Sequence, residues 1–158
     1  MKRFFATLAA AVLLMASATS CHAQKEFSDL AKIDGVTSIY IGKAMLKMAG
    51  GMVGDYTNSD DMDLSQAIKD LTSVEVLTTE HQAAVKKLAP LLDAKLKSMN
   101  AEQLMEVNEG KEQVVIYAQP YPGDSTLCSS LLIVTREPKE MNIVMLKGKI
   151  DPAKLSNE

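Results

Sequence analysis

Few side chains in this sequence could do covalent chemistry. The chain has two histidines and two cysteines, with His22 and Cys21 close to its start and His81 and Cys128 further in. The one nucleophile and base pair the interior offers is therefore Cys128 with His81, which would serve a cysteine-dependent hydrolase. Nothing in Thr126-Leu127-Cys128-Ser129-Ser130 resembles a nucleophile elbow, and no helix start is expected beside it. An apolar strand is a setting in which free cysteine behaves as a small buried hydrophobe. His81 falls in the first turn of an expected helix, facing solvent, and general-base work needs a partner within hydrogen-bond reach. No catalytic residue is assigned.

Metal and phosphate chemistry fare no better. With His81 as the one interior histidine, a histidine-pair zinc site cannot be assembled. Asn58, Asp60, Asp61 and Asp63 crowd oxygen donors together. Yet no glycine stands at the sixth position and Lys69 occupies the place of the bidentate acid, which excludes an EF-hand and leaves a solvated loop. Met45, Met48 and Met52 are spaced to lie on one helical stripe, where methionine is core filler more often than a copper ligand. Gly50-Gly51-Met52-Val53-Gly54 lacks the following Lys-Ser/Thr and the preceding strand of a P-loop, and reads as a helix exit. No metal and no cofactor is expected. With 17 basic against 20 acidic side chains and a formal net charge of -3, the chain has no electrostatic footprint for a phosphate backbone, so nucleic acid is not a partner.

The first residues read as an address. Met1-Lys2-Arg3 is a short positive start, an apolar stretch runs from Phe4 to Ala18, and small residues follow through Ala23. That order is the secretory signal pattern. The stretch is shorter than the roughly 20 residues a membrane-crossing helix needs, and no later stretch comes close. Cleavage between Ala23 and Gln24 presents Cys21-His22-Ala23 to a general signal peptidase and releases a soluble exported chain. Cleavage before Cys21 would use Ala18-Thr19-Ser20-Cys21 as a loose lipobox and leave a lipid-anchored cysteine; Ala18 stands where leucine is usual, so soluble export is preferred. The expected organisation is a signal peptide over 1–23 and a single exported domain over 24–158. Losing Lys2 and Arg3 with no acid makes that domain more acidic. Its size lets it bury roughly two thirds of its unfolded surface, enough for one core without a staple. With Cys21 gone, Cys128 cannot form an internal bridge.

The elements that must carry these residues follow from periodicity. Glu26 to Lys32 reads as a short leading helix ended by Asp34-Gly35. Val36 to Ile41 alternates as a strand with Val36, Ser38 and Tyr40 on one face and Thr37, Ile39 and Ile41 on the other. From Lys43 the period becomes helical, with Leu46 joining the methionine stripe until Gly50-Gly51. Asp63-Leu64-Ser65-Gln66 caps a second short helix, Ser73 to Thr78 is a strand, and Thr79-Glu80-His81-Gln82 reads as a capping box. It opens the longest helix, with Val85, Leu88, Leu92, Leu96 and Met99 inward and Pro90 expected to kink or break it. Lys86, Lys87, Asp93, Lys95 and Lys97 belong to its solvated face. Leu104 to Asn108, Glu112 to Gln119, Leu127 to Thr135 and Met141 to Lys147 are strand-like runs parted by turn residues, an antiparallel meander. Asp151-Pro152 opens a last helical turn. The fold class is α+β, with helices packed on one face of a mainly antiparallel sheet and a C-terminal β-meander.

Asp34-Gly35-Val36-Thr37-Ser38-Ile39-Tyr40-Ile41 with Lys43-Ala44-Met45-Leu46, then Leu71 to Leu77, Leu104-Met105-Glu106-Val107 and Leu131-Leu132-Ile133-Val134 before Met141 to Gly148, resembles the exported bacterial family called Domain of Unknown Function 4252. The resemblance spans about Phe27 to Asp151. It implies a small secreted or envelope protein of Bacteroidetes-like Gram-negative bacteria, in the periplasm or at the outer membrane, and carries no functional residue with it. The leading expectation is a non-catalytic envelope module that binds a protein partner. A small-ligand carrier or sensor, with a pocket between the methionine helix and the sheet, is the alternative, and the Cys128 hydrolase a remote one.

Overall fold

The computed structural model describes residues 26–53 and 70–154. The leader with its Ala23 and Cys21 cleavage points, the Asn58 to Asp63 donors and the helix expected from Asp63 lie outside the described residues. A 3-10 turn at Leu30–Lys32 leads into β1 (Thr37–Gly42), α1 (Lys43–Val53), β2 (Leu71–Thr79), α2 (Gln82–Ser98) and then β3 (Glu102–Glu109), β4 (Glu112–Tyr121), β5 (Asp124–Arg136) and β6 (Met141–Ile150). The strands form one sheet in the order β1-β2-β6-β5-β4-β3. Every neighbouring pair is antiparallel. β3 to β6 are the expected meander. β6 then slots beside β2, which joins the two halves of the chain.

Register sorts each strand into two faces, because residues directly opposite in an antiparallel pair point the same way. Leu77 opposes Ile143, which opposes Val134. Met145 opposes Leu132. This first face meets α2, whose Leu88 and Leu92 are fully buried and whose Leu96 and Met99 are nearly so. The spacing of those four residues is the helical stripe that the sequence predicts, and burying it against Leu77, Leu132, Val134, Met141, Ile143 and Met145 makes the main core. Phe27 and Leu30 close the end of that core, so the leading segment packs inward as a 3-10 turn rather than as the longer helix expected of it.

Four local expectations are corrected. α2 is not broken in two at Pro90 but runs on to Ser98. Pro90 and Lys86, the residue whose carbonyl loses its partner, both lie on the exposed side, where water satisfies the freed group. The N-cap of α2 is His81, without a side-chain cap bond; Thr79 instead accepts from the His81 N–H at 3.2 Å and donates to the Gly35 carbonyl at 2.6 Å. α1 continues past Gly50-Gly51 to Val53. Its stripe is also not core: Leu46 is buried, while Met45 is 61% and Met48 66% exposed. A stripe tells which side of a helix is apolar, and α1 stays beside β1 and β2, where Leu46 finds cover and Met45 and Met48 do not. At the far end, the Asp151 carboxylate accepts the Ala153 N–H at 3.1 Å and starts the expected turn Pro152–Lys154.

Candidate functional site

Alternation puts Ser73, Glu75, Leu77 and Thr79 of β2 on the inward face, so a carboxylate is carried into the core. Glu75 is 3% exposed and shares the Phe27 N–H between its two oxygens at 3.3 and 3.4 Å. Burial pushes its carboxyl above the ordinary range, and the neighbouring Glu26 adds to that, against the backbone bonds from Phe27 and Glu26 and the charge of Lys147. Glu26 goes the other way. Burial works to raise it too, but Lys147 at 2.7 Å and Lys95 at 3.1 Å outweigh that together and hold it low. Two carboxylates side by side are thus set apart by their partners, one held ionised and the other biased toward its protonated form.

Lys147 continues this cluster into an open groove of about 530 Å³ at the end of the sheet. Thr72, Gln119, Tyr121 and Ser129 line it, with Lys43 from the start of α1 and Lys149. The Lys149 ammonium lies 5.9 Å from the centre of the Tyr121 ring, a cation–π distance. Hydroxyls and ammonium groups share this concave surface with the Asp70 carboxylate, and Lys147 is already paired with Glu26, which leaves Lys43 and Lys149 to attract a small anion. Met45 and Met48 do not line this groove.

The second face of the sheet is of a different kind. Ile39 opposes Val76, Val76 opposes Val144, Val144 opposes Ile133, Ile133 opposes Ile116 and Ile116 opposes Met105. One apolar row therefore crosses all six strands without a polar break. A parallel row runs Ile41, Val74, Leu146, Leu131, Ala118 and Glu102, and a third runs Thr37, Thr78, Asn142, Thr135, Val114 and Val107. Glu102, at one corner, is the single ionisable side chain in the three rows. Ile39 is 51%, Met105 49% and Val107 48% exposed, the middle of the central row is half-buried, and Leu131 and Ala118 of the parallel row are buried in a second cluster with Cys128 and Ile150. Leu131-Leu132-Ile133-Val134 and Ile143-Val144-Met145-Leu146 are apolar on both faces, which is how strands covered on both sides read; a sheet with one wet face alternates. α2 covers the first face.

The structure keeps the two candidate catalytic residues apart. Thr79, just before His81, pairs with Met141 and through it with Arg136, whereas Cys128 pairs with Ile150 at the other end of β5. From Arg136 back to Cys128 at about 3.4 Å per residue is on the order of 25 Å. His81 is exposed. Cys128 is buried with Ala118, Leu131 and Ile150, and burial, then Asp151 and Glu102, push its thiol up, which disfavours the thiolate a nucleophile needs. Among the described residues no three histidine, cysteine or acidic side chains come together to hold a metal, and no helix is long and apolar enough to cross a membrane. Spacing along the chain missed the Glu26, Glu75 and Lys147 cluster. The signal was Glu75 itself, an acid with the parity of Leu77.

The family model for a domain of unknown function (DUF4252) matches residues 27–157, which takes in the whole sheet and both helices. No curated protein and no solved structure matches the chain.

Proposed function

The chain belongs to the DUF4252 family, and from that premise we propose that it is a non-catalytic interaction module exported to the cell envelope. The observation that carries the reading is the apolar row from Ile39 to Met105 on the face that α2 does not cover. A continuous apolar surface with half-exposed Ile, Met and Val is a place where a protein partner gains by excluding water. The positive start, apolar stretch and Cys21-His22-Ala23 site support export, to the periplasm or the outer membrane, as a soluble chain in preference to one anchored through Cys21. Intact mass of the chain from its own envelope separates a Gln24 start from an acylated Cys21. The module itself is tested by short-arm crosslinking in intact envelopes. A recurring crosslinked species that disappears when Met105→Glu and Val107→Glu are combined supports the reading, and no crosslinked species at all contradicts it.

A second reading has its own observation. The groove holding Lys43 and Lys149 beside Thr72, Ser129 and Tyr121, with Asp70 as the acid in its lining and Lys147 paired to Glu26, favours a carrier or sensor of small anions. Titration calorimetry with phosphate and with simple carboxylates, repeated on Lys149→Gln, tests it; heats that are absent or unchanged by the substitution remove it.

A further inference from the structure

We propose that Met45 and Met48, on the outer side of α1, bind Cu(I) through their thioether sulfurs. The site is independent of both readings above, since neither uses these two side chains.

Core filling is the usual work of a methionine stripe, and it is not what these two do. Met45 is 61% and Met48 66% exposed, the highest values among the described large apolar side chains, whereas Leu46 beside them is 7% exposed and takes the packing role alone. A methionine held in water gives up its burial and keeps its soft, polarizable sulfur.

Geometry lets the two sulfurs act together. Positions three apart on a helix are surface neighbours with Cβ atoms about 5 to 6 Å apart, and long side chains there lean back over the turn before them. Two unbranched thioethers so placed reach one ion. Met52 continues the spacing one turn further along the same helix. At about 100° per residue, Lys43 and Lys47 stand about 160° and 200° round the helix from Met45, so their ammonium groups sit on the side away from the sulfurs.

Donor type chooses the metal. α1 runs Lys-Ala-Met-Leu-Lys-Met-Ala-Gly-Gly-Met-Val, without a histidine, cysteine or acid. Zinc wants thiolate, imidazole or carboxylate, and calcium and magnesium want oxygen. Neutral thioethers select a soft ion of low charge, Cu(I). They also carry no proton to lose. A site built from histidine or cysteine weakens in acid because its ligands must be deprotonated, and this one does not.

The test is competition for Cu(I) between the purified processed chain and a coloured Cu(I) chelator, under ascorbate and without oxygen, in mild acid and at neutral pH, with circular dichroism to follow the fold. The unsubstituted chain is expected to withdraw Cu(I) from the chelator at both pH values, and Met45→Leu and Met48→Leu to lose that withdrawal with an unchanged spectrum. Leucine keeps the apolar bulk and removes only the sulfur, and both positions are largely in water, so the fold does not depend on them. Cys128→Ala is expected to withdraw Cu(I) as the unsubstituted chain does. The proposal is overturned by no withdrawal at all, by withdrawal that survives the two methionine substitutions combined, by withdrawal confined to neutral pH, or by its loss in a folded Cys128→Ala chain.

Discussion

Ile39 on β1 and Met105 on β3 stand at opposite edges of the sheet, yet they are the two ends of one apolar row. In the central strands β2, β6 and β5 the residue of that row sits beside one whose side chain enters the main core, and the pair Leu132 and Ile133 shows the division: Leu132 is fully buried, Ile133 partly.

The core on the α2 side should respond as tightly packed interiors do. Leu92→Ala leaves a cavity between α2 and the sheet and is expected to cost about 2 to 5 kcal/mol in denaturant unfolding. Leu91→Ala, next in the chain but 50% exposed, should stay within roughly 0.5 kcal/mol. Equal losses at the two positions would contradict the face assignment of α2.

Glu75 and Glu26 should show opposite pH dependence. The folded carboxyl of Glu75 is raised, so its contribution is fully present below the ordinary carboxylate range and is lost as pH rises through its folded value. Glu75→Gln should therefore melt higher than the unsubstituted chain near neutral pH, with the gain shrinking in acid. Glu26 is held low. What it contributes is present above that range and lost as pH falls through its folded value, so Glu26→Gln should melt lower near neutral pH and converge with the unsubstituted chain in acid. Thermal melts across pH check both, and like-signed trends would rule out this division of roles.

Gly148 is fixed by close approach. A Cβ there would run into the Asp70 carbonyl and come within 2.8 Å of the Leu71 Cα. These are backbone atoms at the β2 to β6 register shift that cannot step aside singly. Gly148→Ala is expected to cost about 1 to 3 kcal/mol, the range for forcing atoms into a filled space. A melting temperature equal to that of the unsubstituted chain would show that the strands part more easily than their register implies.

Cys128 should alkylate slowly in the folded chain and fast once the chain is unfolded, since it is 8% exposed and its thiol is raised. Fast labelling of the folded protein near neutral pH would reopen nucleophile chemistry.

The sequence was most readable where packing is repetitive. Leu88, Leu92 and Leu96 recur at helical spacing, and the meander strands are parted by Glu109-Gly110, Pro122-Gly123-Asp124 and Glu137-Pro138-Lys139, so α2 and β3 to β6 were legible before any coordinates. Local pattern failed where the outcome depends on distant partners. Met45 and Met48 have the spacing of a buried stripe, but whether a surface receives them is set by where β1 and β2 lie. The bond from Lys147 to Glu26 joins residues too far apart in the chain for spacing to reveal. The second face was half legible: Leu131 to Val134 announces cover on both sides, while naming the row from Ile39 to Met105 needs the strand order.

The measurement that bears most directly on the second face is the labelling rate of a cysteine placed in its central row, Ile133→Cys, with a maleimide in intact cell envelopes. Met48→Cys, at a position 66% exposed, reports free access of the reagent. The account predicts that Ile133→Cys labels many times more slowly in the otherwise unsubstituted chain than in the Met105→Glu, Val107→Glu background, while Met48→Cys labels alike in both. Equal rates for Ile133→Cys in the two backgrounds would mean that nothing covers the face, and would contradict the account.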